Sequence, residues 1–192
     1  MIEQGPRAIG VFINDLKSAS IPVMDISNSN PTLDRLFRHM AWANAYVFEQ
    51  LKGLPAETSA LKALNNEWSI GAIAEHFVRA AGFYITRLGG QITSHDYVIP
   101  STSADISRLA EWCAGFDAQL RELAVGPEAM TTYKRDGKTI QRARSTILGQ
   151  SIHHATEHRT QIAGILAMHG VNAVDLDAID VWGLGDAEGL GH

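Results

Sequence analysis

Residues 145–169 read STILGQSIHHATEHRTQIAGILAMH and run without a proline to Gly170. Wound as an α-helix at about 100° per residue, this stretch sends His154 and His158 out of the same face, one turn apart. Ser151, Ile162, Ile165 and Leu166 fall within about a quadrant of them, so the histidine pair points to the interior rather than to water. His153, about 100° away, falls on the solvated side with Glu157. Gly170 supplies the left-handed position that ends the helix. A helix of this length with such a face must be covered by other helices.

Three further stripes upstream supply that cover. From Thr32 the residues Leu33, Leu36, Phe37, Met40, Val47 and Leu51 recur at threes and fours, and this first helix ends near Lys52 and Gly53, before Pro55. Ser69 is placed to cap a second helix, with Trp68 before it as a hydrophobic staple. Ile70, Ile73, Phe77, Ala80 and Tyr84 form its buried face, and Gly89 and Gly90 stop it. A third helix follows the hydroxyls of Ser101, Thr102 and Ser103, carries Leu109, Trp112, Cys113, Phe116, Leu120 and Leu123 at helical spacing, and closes at Gly126 and Pro127. Before the fourth helix, residues 131–142 set β-branched and aromatic side chains on both sides of Asp136 and Gly137, a hairpin signal.

The expected fold is therefore all-α, a four-helix bundle with a small β-hairpin before the fourth helix. Residues 1–30 carry mixed turn signals and read as an N-terminal extension, residues 31–182 as the bundle, and residues 183–192, rich in glycine, as a flexible C-terminal tail.

Composition narrows the function. With 192 residues, 45% hydrophobic and 19% charged, the chain can bury one ordinary core and is not a disordered polymer. Its 16 Lys and Arg against 21 Asp and Glu leave a net charge of −5, with no basic footprint for nucleic acid or an anionic membrane surface. No apolar run approaches the roughly 18 residues that span a bilayer. The lone Cys113 cannot form an internal disulfide and continues the apolar face of the third helix, so it reads as inert core and the expected compartment is the cytoplasm. Histidine is the outlier, with eight in the chain and three of them inside residues 153–158.

Two imidazoles leave a transition metal under-coordinated, so a third ligand has to come from another helix facing the same core. His76, at the margin of the second helix's stripe, is the candidate. The expected metal site is His76, His154 and His158 with water completing the shell, a donor set that suits zinc, nickel or ferrous iron. A single histidine on an apolar helix edge is ordinarily a hydrogen-bonded core residue; the repeat at four is what argues for chelation. Ala155, Thr156 and Glu157 separate the pair without a glutamate directly after His154, which sets aside the standard zinc-protease pattern. Glu75 reads as a solvated helix residue and Tyr84 as core. His39, Trp42 and Tyr46 form a second stripe on the first helix, suited to bundle packing or an oligomer interface ahead of cofactor contact.

Trp42-Ala43-Asn44, then Trp68-Ser69-Ile70-Gly71 leading to His76, then His154-Ala155-Thr156-Glu157-His158-Arg159-Thr160-Gln161-Ile162 form a series that resembles the DinB-like superfamily of metal-binding four-helix bundles. The resemblance spans residues 32–182. It implies one divalent metal held by a histidine of the second helix and two of the fourth, which map onto His76, His154 and His158. It also implies a small-molecule substrate and a homodimer. Relatives with known activity include transferases that use low-molecular-weight thiols, so the implied function is a metal-dependent thiol S-transferase acting on a small electrophile. A metal-dependent hydrolase and a non-catalytic metal-binding or stress-response protein remain the alternatives. Arg159 and Gln161, which follow the second ligand, are candidates to hold an anionic cofactor or fix a neighbouring loop; surface or interhelix pairing is the competing role. The chain departs from the family pattern in its N-terminal extension and in His39.

Overall fold

Asn30 and Pro31 begin the first helix for different physical reasons. The Asn30 side chain accepts from the amides of Thr32 (3.0 Å) and Leu33 (3.2 Å), and Pro31 brings a preset φ where no amide donor is needed. This is α1 (Pro31–Gly53) in the computed structural model, which describes residues 30–64 and 67–190. Residues 1–29 of the expected extension and the last two residues of the expected tail lie outside the described residues.

A 3₁₀ turn (Ala56–Ala60), which the sequence reading did not mark, brings the chain back. A bridge between Lys62 and Ser69, and Ile70 donating its amide to the Leu61 carbonyl at 2.9 Å, set the start of α2 (Ile70–Arg87). Ser69 caps it by accepting from the Ala72 amide at 3.2 Å. Gly71 sits so close to the neighbouring backbone that a β-carbon there would stand 3.0 Å from the Pro100 carbonyl oxygen and 3.2 Å from that of Ser59. Gly89 then takes φ +90° and the Gly90 amide bonds back to the Ile85 carbonyl at 2.9 Å, the terminating turn expected there.

Of the three hydroxyls before α3 (Ser103–Leu123), Thr102 is the cap, exchanging hydrogen bonds with Asp105 in a capping box. The hairpin follows as β1 (Met130–Arg135) and β2 (Lys138–Ala143), antiparallel, with Asp136 and Gly137 both at positive φ as a type I′ turn requires. It is tied to α2 by the Arg87 guanidinium, 4.6 Å above the Tyr133 ring. β2 passes directly into α4 (Arg144–Met168), which ends at Gly170 with the Val171 amide on the Leu166 carbonyl. Arg144, at the junction, donates to the carbonyls of Leu88 (3.1 Å) and Leu123 (2.5 Å), satisfying acceptors left over at the ends of α2 and α3.

The described residues are thus mostly helical, with one two-stranded antiparallel hairpin among them. Each long helix packs on two others: α1 on α3 and α4, and α2 on the same two. Phe37, Phe48, Ile73, Leu109, Ile162 and Leu166 are fully buried where the four meet. Side chains of this kind each contribute roughly 1.5–3 kcal/mol by leaving water. No helix among the described residues is long and apolar enough to cross a membrane.

The C-terminal segment differs from the expected fraying. Where residues 183–192 read as a flexible tail, α5 (Val181–Ala187) continues through the glycines. Asp180 caps it by accepting from the Gly183 amide at 2.7 Å, Leu184 is buried, and Glu188 pairs with Arg35 and Arg38 of α1. A cap, one apolar anchor and an ion pair hold a helix too short and glycine-rich to form alone.

Candidate metal centre

His76 and His154 come from helices that pack face to face, and the register of α2 on α4 brings their rings together. His76 Nε2 stands 3.2 Å from His154 Nε2, and His154 Nε2 stands 3.0 Å from His158 Nε2. All three residues offer a ligand atom within 4.8 Å of the others, a group that could hold a metal ion. The three histidines singled out in the sequence are therefore brought to one point, while His153 is exposed, as its place on the wheel requires.

The protons decide what such a cluster can be. The Gln161 side-chain oxygen, which only accepts, lies 2.8 Å from His158 Nδ1. The His158 proton is therefore on Nδ1 and the Nε2 lone pair faces the cluster. His154 Nε2 meets two ring nitrogens at once, yet a neutral imidazole has at most one proton there, so only one of the two contacts can be a good hydrogen bond. A cation between them would turn the same lone pairs into ligands. Metal–nitrogen bonds of about 2.0–2.1 Å place tetrahedral ligand nitrogens about 3.3 Å apart, close to the spacings found here. The residues fit a divalent metal.

Electrostatics agree. Burial, followed by the proximity of His158 and His76, lowers the His154 pKa to about 4. His76 is lowered too, by burial first and then by His158 and Arg79. Neutral imidazole is the form a metal binds.

The group opens into a cavity of about 350 Å³ lined by Trp68, His76, His154, Glu157, His158 and Gln161. Two of these walls were missed in the sequence. Trp68, read as a staple, is 43% exposed and meets the His76 ring edge-on at 4.7 Å. Glu157, read as a solvated residue, is exposed but lines the cavity; standing three positions after His154, it lies on the same side of the helix, which is the signal that could have found it. Tyr84 is buried as expected, its ring edge-on to His154 at 5.6 Å. Glu75 is held by Arg79 at 2.6 Å.

Gln161 and Arg159 separate in role. Gln161 fixes His158, whereas Arg159 turns away from the cavity into the core, 3% exposed, donating to Asn44 (2.6 Å) and Thr156 (3.0 Å). Asn44 in turn donates to Asp117 at 2.9 Å, and the Cys113 thiol lies 3.6 Å from the same carboxylate oxygen. Burial raises the Asp117 pKa to about 6 against the pull of Asn44, Cys113 and Arg159, and burial lowers that of Arg159 to about 10. This buried network ties α1, α3 and α4 together; Cys113 lies in the core as its place on the apolar face of the third helix requires, and Asp117, four residues on, is a buried charge that the sequence does not mark. His39 is also buried, donating Nε2–H to the Ile179 carbonyl at 2.8 Å.

No curated protein and no solved structure matches the chain. The family comparison does: residues 26–182 match the DinB family, a span that contains all four long helices, the hairpin and the three histidines. The chain belongs to the DinB family.

Proposed function

We propose that this chain is a metal-dependent enzyme of its family, binding one zinc or nickel ion through His76, His154 and His158 and working as a thiol S-transferase on a small electrophile. The observation that carries the reading is the convergence of three ring nitrogens, two of the contacts at 3.0 and 3.2 Å, beneath a cavity of about 350 Å³. The ring of helices α1, α3, α2 and α4 serves as a four-helix bundle in which facing helices supply the ligands. A divalent ion at this point supplies Lewis acidity, lowering the pKa of a thiol or water so that a nucleophile exists near neutral pH. The chain's own residues do the rest: Gln161 holds His158 in one tautomer, Trp68 and Glu157 form the walls, and the buried network anchors α4. The substrate is a small molecule that fits this cavity. A homodimer in the cytoplasm and a low-molecular-weight thiol as co-substrate belong to the same proposal.

Metal content per chain of untagged wild type and His154→Ala, measured side by side by elemental analysis, tests it. About one equivalent in wild type and none in the variant is the expected result. No metal after loading with zinc or nickel, or full retention in the variant, overturns it. Metal-loaded protein given a thiol and an electrophile then separates the activities: turnover that requires the thiol is transfer, and turnover without it is hydrolysis. A loaded protein inert to both is a binding protein.

A further inference from the structure

We propose that the cavity above the three histidines takes a small ligand bearing a cationic amine, with the Glu157 carboxylate as its counter-ion and the Trp68 indole beside it. The inference rests on the metal site proposed above and names the class of compound that site receives.

The lining carries the argument. Among the described residues of the cavity wall, Glu157 is the one acidic side chain; the others are the three imidazoles, Trp68 and the Gln161 amide. Glu157 has no ion-pair or hydrogen-bond partner among the described residues. The two arginines adjoining the site are already committed. Arg79 is paired with Glu75, and Arg159 is buried on Asn44 and Thr156. An anionic tail entering here meets a carboxylate and no uncommitted arginine, whereas an ammonium tail meets its counter-charge.

Trp68 adds the second element. Its ring is 43% exposed, edge-on to His76 and within 24° of parallel to the His158 ring at 6.5 Å, so it stands as a wall beside the ligand-bearing nitrogens. An indole face near a carboxylate is a favourable seat for an ammonium group. A compound with a metal-seeking head at one end and an amine at the other thus matches both parts of the cavity, and a compound with a carboxylate at the far end mismatches one of them.

The test uses the full chain loaded with cobalt and two probes that share a thiol head and differ in tail charge, 2-aminoethanethiol and 3-mercaptopropionate. Binding is followed by the sulfur-to-cobalt charge-transfer band. The expected result is that the amine thiol binds about two- to fivefold tighter, the scale of one exposed ion pair. In Glu157→Gln the ratio should fall toward one, and in Trp68→Leu the amine thiol should weaken. Equal affinities in wild type, or a ratio unchanged in Glu157→Gln, overturn the proposal. So does a large loss of cobalt affinity in Glu157→Gln, which would make the carboxylate a metal ligand instead. If wild type takes up no cobalt, zinc or nickel, the metal reading has failed separately, and the amine site is then decided in the metal-free protein. There, ethylammonium should shift the Trp68 indole N–H resonance in wild type and not in Glu157→Gln, while propionate should shift neither; the absence of an ethylammonium shift overturns the proposal.

Discussion

At the scale of single residues, the site depends on which nitrogen of each imidazole is free. Gln161 sets that for His158 by accepting from Nδ1. Gln161→Ala should therefore leave the fold intact and weaken metal affinity about 10- to 100-fold, the range for loss of an orienting partner, as read by competition with a chelator. His154 makes the metal-free protein pH-sensitive. The unfolded chain takes up this proton near 6.5, whereas the folded chain refuses it until about 4. Stability linked to neutral His154 is thus full above pH 6.5 and lost as pH falls toward 4. His39 and His76, also lowered, act in the same direction. Asp117 opposes them, since a carboxyl raised from 3.8 to about 6 contributes fully below 3.8 and loses that contribution as pH rises through 6. The Tm of metal-free wild type minus that of His154→Gln isolates the first effect and should shrink as pH drops from 6.5 to 4; a difference that grows or stays flat contradicts it.

At the scale of elements, helices are located by their ends and joined by buried polar contacts. The caps at Ser69 and Thr102 and the turns at Gly89 and Gly170 are local features readable in the sequence, whereas Asn30, within the expected extension, emerges as a cap only in the structure. The links between helices are not local. Asp117 of α3 and Arg159 of α4 lie on either side of Asn44 of α1, all three nearly inaccessible. Removing one charge of such a set leaves the other buried without compensation, so Asp117→Ala should cost about 3–5 kcal/mol. At roughly 2–4 °C per kcal/mol for a chain of this size, the loss is plain in a thermal melt. Asp117→Asn, which keeps an acceptor for Asn44, should cost less; equal losses would mean that the carboxylate's charge carries the whole contribution and the hydrogen bond to Asn44 none of it.

At the scale of the whole molecule, the metal centre and the C-terminal segment occupy different sides of the helix assembly. The histidines belong to α2 and α4, whereas the segment after Gly170 closes over α1 through the Ile179 carbonyl on His39, Leu184, and the pairing of Glu188 with Arg35 and Arg38. Gly183 passes α1 closely enough that a β-carbon there would stand 3.4 Å from the Trp42 ring. Ending the chain after Val174 should lower Tm by several degrees, since buried His39 loses its acceptor and α1 loses its cover. Metal stoichiometry should stay at that of wild type. A truncated protein that folds but no longer binds metal would show that the two sides are coupled.

The sequence by itself determined the four long helices, the hairpin and the His154–His158 pair, because each is written in short-range terms: a 3.6-residue period, a capping side chain, a glycine at positive φ, a repeat at four. His76 could be nominated from its place on one stripe, but only the packing of α2 on α4 brings its nitrogen to 3.2 Å from His154. Tertiary structure alone decided the rest. Trp68 and Glu157 became cavity walls, Arg159 turned into the core instead of toward a cofactor, Arg144 was set on the ends of α2 and α3, and the glycine-rich end became α5. Each of these depends on a partner far along the chain, and residues distant in sequence leave no periodicity for a local reading to detect.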